Sequence, residues 1–362
     1  MVRDSGGNRE RGWGAAVAAV ATGTVAAVLD IRIDGDRLWL GPHVAVTFQR
    51  TLRIPAEGEY PLPPGLGPFP LRRVSDFGDR VPEDWRRRGG VLLPIYQREA
   101  MWLSFKAPHW RPYALQIAVG KVNAVSGEPW SEELQADPQS YVVVPRQPWL
   151  DGINAGDGFI RQFVAMPLGM GYTVEAEVTG REEFGGIQLL CTAPKPGRFP
   201  EHPPSPPPGS AAADLMAPPP PMAAAPPSGA MGMGAGGRMR QSIYPDREGI
   251  DTWDLDNQGR VYVHLVDSMR WREITGEEPP PTPVTTETYR RHGLPWFDLY
   301  DEDKGDVAAP DVLQKVRSIF DIDKEHGFAT PPGDDEPVEI PEAQIVHLGP
   351  PPPDDRVDQG DW

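Results

Sequence analysis

The feature that most constrains the fold is a segment rich in proline and glycine near the middle of the chain. Residues 194–230 hold 14 of the 45 prolines in this sequence of 362 residues, and Met231-Gly-Met-Gly-Ala-Gly-Gly237 follows directly. Proline lacks a backbone N–H donor and fixes φ, so a proline-rich stretch cannot run through a sheet or a long helix. We therefore predict an extended, flexible linker over residues 194–240.

This linker divides the sequence into five predicted segments. They are a flexible or targeting segment (1–21), an all-β domain (22–193), the linker (194–240), a small α+β module (241–330) and an acidic, proline-rich tail (331–362). The expected fold class is mainly β, with an N-terminal antiparallel β-sandwich or barrel, because many short strand patterns separated by turn residues are typical of those architectures.

The clearest strand pattern in the N-terminal part is a hairpin over residues 28–41. Apolar residues alternate with polar ones on both arms, and Asp34-Gly35-Asp36 supplies residues that favour a tight turn. Further short apolar stretches follow up to Thr192. No sustained helical period interrupts them, which argues against a parallel α/β fold.

The C-terminal part mixes strand and helix patterns. Residues 260–266 predict a strand that follows a turn at 256–259, and residues 285–292 predict a short helix. Residues 310–326 predict the best helix in the chain. Its apolar face is formed by Val312, Leu313, Val316, Ile319 and Phe320, which recur with a helical period.

Charge limits the kinds of partner that the chain can bind. The formal net charge is −17, and residues 300–362 alone carry 17 acidic and 5 basic side chains. Affinity for a phosphate backbone depends on Lys and Arg, so we expect no nucleic-acid partner. The basic run Arg86-Arg-Arg88 is interpreted as a solvated helix or loop face.

Compartment is predicted from the single cysteine and from the N-terminal sequence. Cys191 cannot form an intramolecular disulfide, which favours the cytoplasm. The alternative is secretion, with residues 1–29 as a signal peptide, because an apolar run follows three arginines there. That run, residues 14–29, is short for a membrane span, so no stable membrane insertion is expected.

Two motif matches do not have the context that their chemistry requires. Residues 232–237 match GxGxxG, but low-complexity sequence precedes them where a dinucleotide site needs a strand. Residues 254–259 mimic the start of a calcium loop, but Leu265 occupies the position that needs a bidentate Glu. We therefore expect no cofactor and no metal, and catalytic residues stay unassigned.

The most unusual string of the N-terminal part lies between Gln147 and Phe163. Asp151, Asn154 and Asp157 place oxygen donors in a glycine-rich stretch, with Trp149 before them and Arg161 after them. One hypothesis is a ligand-binding loop at the rim of a β-sandwich, since rim loops often carry function. The competing interpretation, which we favour, is a loop that uses Asp, Asn and Gly for turn geometry.

A second candidate surface surrounds the strand pattern at 296–299. Trp296, Asp298 and Asp301 could form an exposed hook for a protein partner, because aromatic residues ringed by charge often anchor interfaces. The favoured interpretation is structural. It places Phe297 and Leu299 in the core beneath the helix at 310–326.

The leading functional hypothesis is a non-enzymatic binding or assembly protein, with an unknown protein partner or self-assembly. One competing hypothesis is a hydrolase-like enzyme with its site at residues 151–161. Another is a carbohydrate-binding β-sandwich that uses exposed tryptophans. The candidates for that role are Trp102, Trp110, Trp130 and Trp149.

Overall fold

The computed structural model of the chain describes residues 29–55, 57–204, 230–282, 285–291, 293, 295–298, 305–327 and 337–347. The predicted N-terminal segment, the proline-rich part of the predicted linker at 205–229 and the end of the acidic tail lie outside these residues.

Eighteen strands occur in the described part of the chain. They are β1 Ile31–Asp34, β2 Arg37–Leu40, β3 Val44–Thr51, β4 Glu59–Tyr60, β5 Arg72–Arg73, β6 Val91–Ile95, β7 Ala100–Lys106, β8 Tyr113–Val119, β9 Val122–Asn123, β10 Val142–Val144, β11 Trp149–Leu150, β12 Gly152–Gly156, β13 Phe159–Pro167, β14 Ile187–Pro194, β15 Ala230–Arg240, β16 Trp253–Asp267, β17 Trp296–Asp298 and β18 Ile345–His347. Six α-helices, all short, accompany them. These are α1 Glu83–Arg88, α2 Val174–Thr179, α3 Ser268–Thr275, α4 Thr286–Arg291, α5 Asp311–Gln314 and α6 Ile319–Glu325.

The strands β1 to β16 form one large, mostly antiparallel sheet. Its main path runs β1-β2-β3-β7-β13-β15-β16-β14-β8-β10, and the remaining strands pair at its sides. Parallel pairing within it joins β15 to β4 and β16 to β6, while β17 and β18 form a separate parallel pair. The prediction of a mainly β fold is confirmed.

The predicted N-terminal hairpin is present as β1 and β2. Ile31 pairs with Leu40 and Asp34 with Arg37, so the turn falls at residues 35 and 36. Leu38 and Leu40 are completely buried, whereas Ile31 and Ile33 are half-buried. The alternation of apolar and polar residues therefore indicated this hairpin, and the structure adds its register.

The structure differs from the linker prediction at residues 230–240, which form strand β15 in the centre of the sheet. Met231, Met233 and Ala235 are buried in the main core. The intervening glycines allow close approach: a Cβ on Gly237 would lie 2.0 Å from the carbonyl oxygen of Pro55. The segment thus has the two-residue period of a strand, with glycine wherever a side chain would collide.

Strands from both sides of residues 205–229 belong to this one sheet. β16 pairs along its length with β14, and Leu189 lies opposite Val261. β15 pairs with β13, and Val164 lies opposite Gly234. Residues 256–259, predicted as a turn, lie inside β16. The sheet is therefore completed by strands that the sequence interpretation assigned to a separate module.

The predicted single helix at 310–326 is two helices, α5 and α6. The side chain of Ser318 accepts from the backbone N–H of Asp321, and the Asp321 side chain accepts from the backbone of Ser318. This capping box begins a new helix and interrupts the period that the apolar residues suggested. Of the predicted apolar face, Leu313, Val316, Ile319 and Phe320 are buried, whereas Val312 is exposed. Among the described residues, no helix has the length and apolarity that a bilayer crossing requires.

Candidate anion-binding pocket

A pocket of about 770 Å³ lies beside the β1–β2 hairpin. Its walls come from that hairpin, from α1, and from β6, β14 and β16, while Lys121 and Trp130 close one side. The volume falls in the range of about 300–1,000 Å³ that is common for small-molecule sites.

The wall of this pocket is strongly basic. Among the described residues it contains seven cationic side chains and no Asp or Glu. The seven are Arg32, Arg73, Arg86, Arg87, Arg88, Lys121 and Arg260. The chain as a whole has 35 basic and 52 acidic residues. The pocket therefore has the opposite sign from the average of the chain, and a cleft lined by one sign of charge focuses the potential within it.

The acidic partners of the rim arginines lie outside the wall. Arg86 bonds to Asp79 at 2.6 Å, and 95% of the Asp79 side chain is exposed. Arg260 forms an ion pair with Glu132, and both of those side chains are exposed as well. Solvent-exposed pairs of this kind are weak, and one pair uses only part of the five N–H donors of a guanidinium. The remaining donors are available to a ligand.

Arg88 is held more firmly than the rim arginines. Its Cζ lies 5.3 Å from the ring centre of Tyr262 and 5.4 Å from that of Phe184. Its Nη1 also lies 3.4 Å from the hydroxyl oxygen of Tyr262, and only 22% of the side chain is exposed. These contacts with two aromatic rings fix the direction of the guanidinium.

Tyr262 belongs to a stack of three rings behind the pocket. His264 lies between Tyr262 and Trp85, with ring centres 4.5 and 4.6 Å away and interplanar angles of 27° and 26°. Its Nε2 donates to the carbonyl oxygen of Gly89 at 3.0 Å. Burial lowers the pKa of His264 to about 4, so the ring is neutral at pH 7. The stack joins β16 to the end of α1, which carries three of the arginines.

Gly90 allows the chain to approach β16 closely after α1. Its φ is +84°, and a Cβ there would lie 2.0 Å from the carbonyl oxygen of Tyr262. Both the left-handed conformation and the close approach require glycine.

Part of the pocket wall is apolar. Ile31 and Ile33 line it from half-buried positions in β1, and Leu38, Leu189 and Val261 line it from buried positions. The wall therefore combines these five apolar residues, which we call the floor, with the seven cationic ones, which we call the rim.

A smaller cavity of about 440 Å³ adjoins the pocket. The two share Lys121 and Trp130. The Lys121 Nζ lies 4.3 Å from the ring centre of Phe184. Glu175 and Glu183 line this second cavity together with Lys121 and Arg181, so its acidic and basic residues are equal in number.

The string at 147–163, predicted as a loop, is a set of strands. It forms β11, β12 and β13, with residues 157 and 158 at the hairpin turn. Asp157 is exposed at this turn, where its φ is +55°. None of its five predicted site residues lines the basic pocket.

Asp151 is the most unusual of these residues, because its carboxyl group is buried. Gln241 Nε2 donates to its Oδ2 at 3.3 Å, while its Oδ1 has no partner among the described residues. Burial raises the pKa of Asp151 well above its usual value, and a hydrogen bond with the Trp149 side chain opposes this effect. Trp149 is half-buried, and its ring centre lies 6.2 Å from that of Trp102.

Asn154 has a structural role in the geometry. Its Nδ2 donates to the Val307 carbonyl at 3.1 Å, and its Oδ1 accepts from the Gly156 N–H at 3.0 Å. It thereby ties β12 to the segment before α5. Arg161 is half-buried, and desolvation lowers its pKa. The five candidate residues at 149–161 therefore do not all come together in one site.

The residues of the predicted partner hook do not form one exposed surface in the described part of the chain. Trp296 is completely buried in the main core, and its ring meets that of Tyr289 edge-on at 5.9 Å. Asp298 lies in β17, where its backbone pairs with His347. Asp301 lies outside the described residues. The structural interpretation placed Phe297 and Leu299 in the core; Phe297 is half-buried against the main core, and Leu299 lies outside the described residues.

A polar cluster outside the pocket joins α6 to the segments that precede β7 and α2. The Asp323 Oδ1 accepts from Arg98 and from the Tyr172 hydroxyl, each at 2.7 Å. The Tyr172 hydroxyl also lies 3.2 Å from His326 Nδ1. Burial acts to raise the pKa of Asp323, but the bonds from Arg98 and Tyr172 outweigh it and lower that pKa. This cluster fixes the position of α6.

Sequence reasoning missed the basic pocket because its residues are spread from Ile31 to Tyr262. The only local signal was the run Arg86-Arg-Arg88, which is equally typical of a solvated helix face. Pairing of β6 with β16 is what brings that run beside Arg260 and Tyr262.

No protein-family model matches this sequence, and comparison with curated proteins and with solved structures likewise finds no match. Its function is therefore inferred from its own residues and geometry.

Proposed function

We propose that this chain is a non-enzymatic binding protein that holds an anionic ligand in the basic pocket, in the cytoplasm as its single cysteine suggests. The observation that carries the proposal is the wall itself, with seven cationic side chains and no carboxylate among the described residues.

Electrostatics supports a ligand of negative charge. Five of the seven wall cations form an ion pair with an exposed carboxylate, at Asp76, Asp79, Asp84 or Glu132. Exposed pairs of this kind offset the repulsion among the cations only weakly. An anion in the cleft would interact with several guanidinium groups at once, through charge-assisted hydrogen bonds that are stronger than neutral ones. The ligand would therefore stabilise the folded protein by mass action.

Assembly with a protein partner gains less support from the surface. Only six large apolar side chains of the described residues are exposed, whereas an interface usually presents a contiguous apolar patch. These side chains are Met170, Ile250, Leu255, Met269, Val312 and Val346.

Hydrolysis and carbohydrate binding also gain less support. A hydrolase site at 151–161 needs groups that converge, but Asp151 is buried whereas Asp157 is exposed at a turn. Stacking on a sugar needs an open aromatic face, but the four candidate tryptophans are only half-exposed, and Trp130 alone among them lines the basic pocket.

The experiment that tests the proposal is isothermal titration calorimetry of the full chain with pyrophosphate and with decyl phosphate at low salt. At least one probe should bind with 1:1 stoichiometry. The double variant Arg86→Gln/Arg260→Gln should bind it at least about tenfold more weakly, since each lost charge-assisted bond contributes more than about 1.4 kcal/mol.

Arg272→Gln is the matched control, because Arg272 is an exposed arginine paired with Glu278 and is not in the pocket wall. It should bind the probe as the parent does. If the control weakens binding as much as the double variant, the affinity reflects overall charge and the pocket proposal is wrong.

A further inference from the structure

We infer that the pocket takes an amphipathic anion: one anionic headgroup at the rim, joined to an apolar body that covers the floor. This inference rests on the proposed function and names the class of ligand. The juxtaposition that carries it is that one pocket wall holds both the seven Arg and Lys residues and the apolar residues Ile31, Ile33, Leu38, Leu189 and Val261.

The floor distinguishes this ligand from a simple polyanion. Ile31 and Ile33 are half-buried on the inward side of β1, while Arg32 between them is exposed. A small inorganic anion would contact the arginines and leave these isoleucines in water. An apolar body laid against them would remove their surface from water, which is the favourable part of apolar binding.

The rim provides the matching headgroup site. Arg88 is fixed by its contacts with Tyr262 and Phe184, so its direction is set before any ligand arrives. Arg86 and Arg260 hold only exposed partners that a ligand oxyanion can replace. Planar guanidinium groups favour phosphate and carboxylate oxygens, which they bind in pairs.

The ligand is a free, monomeric amphiphile rather than a lipid within a membrane. A surface that docks on a bilayer inserts exposed apolar side chains around its basic patch. None of the six large exposed apolar side chains of the described residues lines this pocket. The apolar residues that do line it are buried or half-buried in the pocket wall, where they can contact one bound ligand.

The test is a series of hexyl, octyl and decyl phosphates below their critical micelle concentrations, titrated calorimetrically into the full chain. If the body is buried, binding should tighten about three- to fourfold for each added methylene until the pocket is filled. Pyrophosphate serves as an anion without an apolar body, and octyl glucoside as an apolar body without charge. Both should bind at least about tenfold more weakly than decyl phosphate.

The floor is tested by the double variant Ile31→Thr/Ile33→Thr, which keeps β-branched side chains in β1 and leaves the rim intact. It should flatten the dependence on chain length while leaving pyrophosphate affinity unchanged. Leu255→Thr, an exposed strand position outside the pocket, should retain the parent series. Far-ultraviolet circular dichroism checks that the floor variant is folded, and Ile33→Thr alone replaces it if it is not.

The outcomes separate this inference from the proposed function. Pyrophosphate binding as tight as that of decyl phosphate overturns the amphipathic ligand but leaves an anion site. Octyl glucoside binding as tight as octyl phosphate overturns it as well, and no binding of any probe overturns both. Sedimentation with phosphatidic acid vesicles, without binding to the soluble alkyl phosphates, overturns the assignment to a free amphiphile.

Discussion

Arg50 and Glu99 form an ion pair inside the protein, with Nε and Oε1 2.8 Å apart and side chains only 6% and 1% exposed. Glu99 also accepts from the Tyr96 backbone N–H at 2.9 Å. The Tyr96 hydroxyl donates to the carbonyl of Pro280 at 3.0 Å, and Arg50 donates to that of Pro281. The pair thus connects β3 and β7 to a proline-rich segment that follows α3.

The first prediction is that Glu99 makes the stability depend on pH. Burial raises the pKa of Glu99 to about 7, against the opposing effect of Arg50. A raised carboxyl pKa means that the folded state holds the proton between about pH 4.3 and 7, while the unfolded state has lost it. The contribution of Glu99 to stability is therefore fully present below that window and is lost as the pH rises through 7.

Urea denaturation of the parent and of Glu99→Gln across pH 4.5–8 measures this contribution. The free energy of unfolding of the variant, minus that of the parent, should become less negative as the pH rises. Glu83→Gln, which is exposed at the start of α1, should show no such trend. A pH-independent difference for Glu99→Gln contradicts the prediction.

The second prediction concerns Trp296, which is completely buried in the main core. Trp296→Ala should lower the free energy of unfolding by about 3–5 kcal/mol, as is usual for a truncated core aromatic. Phe297→Ala should cost clearly less, because Phe297 is half-buried. Trp296→Phe should cost least, since the Trp296 Nε1 is buried without a partner among the described residues. Equal losses for the two alanine variants in urea titrations contradict this order.

The sequence predicted the mainly β class and the first hairpin because those depend on local alternation, as at Ile31 and Ile33. It did not predict β15, because Met-Gly alternation next to many prolines is also typical of a linker. Glycine is needed there because the backbone of Pro55 packs closely against Gly237. Composition cannot reveal such a contact between distant segments. The sequence did not predict the pocket for the same reason. Arg86 and Arg260 line one pocket only because strands that are distant in sequence pair with each other.

The third prediction tests the close packing of β15. Gly237→Ala would place a Cβ 2.0 Å from the Pro55 carbonyl oxygen, and backbone cannot move aside as a flexible side chain can. We expect a loss of about 1–3 kcal/mol in the free energy of unfolding, in the range for overpacked sites. Gly65→Ala is the control, because its nearest neighbours are side-chain atoms of Gln49 and Trp102 at 3.3 Å. A Gly237→Ala protein as stable as the parent contradicts the central placement of β15.

The fourth prediction is that cutting the chain between β14 and β15 leaves one folded unit. A specific protease site introduced within residues 205–229 gives two fragments, of which the first carries β14 and the second carries β15 and β16. Because β16 pairs with β14 and β6, and β15 pairs with β13, each fragment completes the sheet of the other. The cleaved protein should elute as a single species from size exclusion and separate only in denaturant. Separation into two folded species without denaturant contradicts the shared sheet.

The last prediction concerns His264, whose pKa burial lowers to about 4. Between about pH 4 and 6.5 the unfolded chain binds a proton that the folded protein does not, so the contribution of His264 to stability rises with pH. This trend is opposite in sign to that of Glu99 over an overlapping window, and the pH dependence of the parent alone cannot separate them.

His264→Phe keeps a ring between Trp85 and Tyr262 but loses the bond to the Gly89 carbonyl. The variant should lose about 1 kcal/mol of the free energy of unfolding at pH 7. The loss should shrink as the pH falls toward 4, because protonation of His264 in the unfolded chain destabilises the parent and has no counterpart in the variant. Urea titrations of His264→Phe, with the exposed His109→Phe as control, measure the difference. If that difference is constant from pH 4 to 7, His264 is not held neutral in the folded protein, and the ring stack behind the pocket is more open to water than this structure has it.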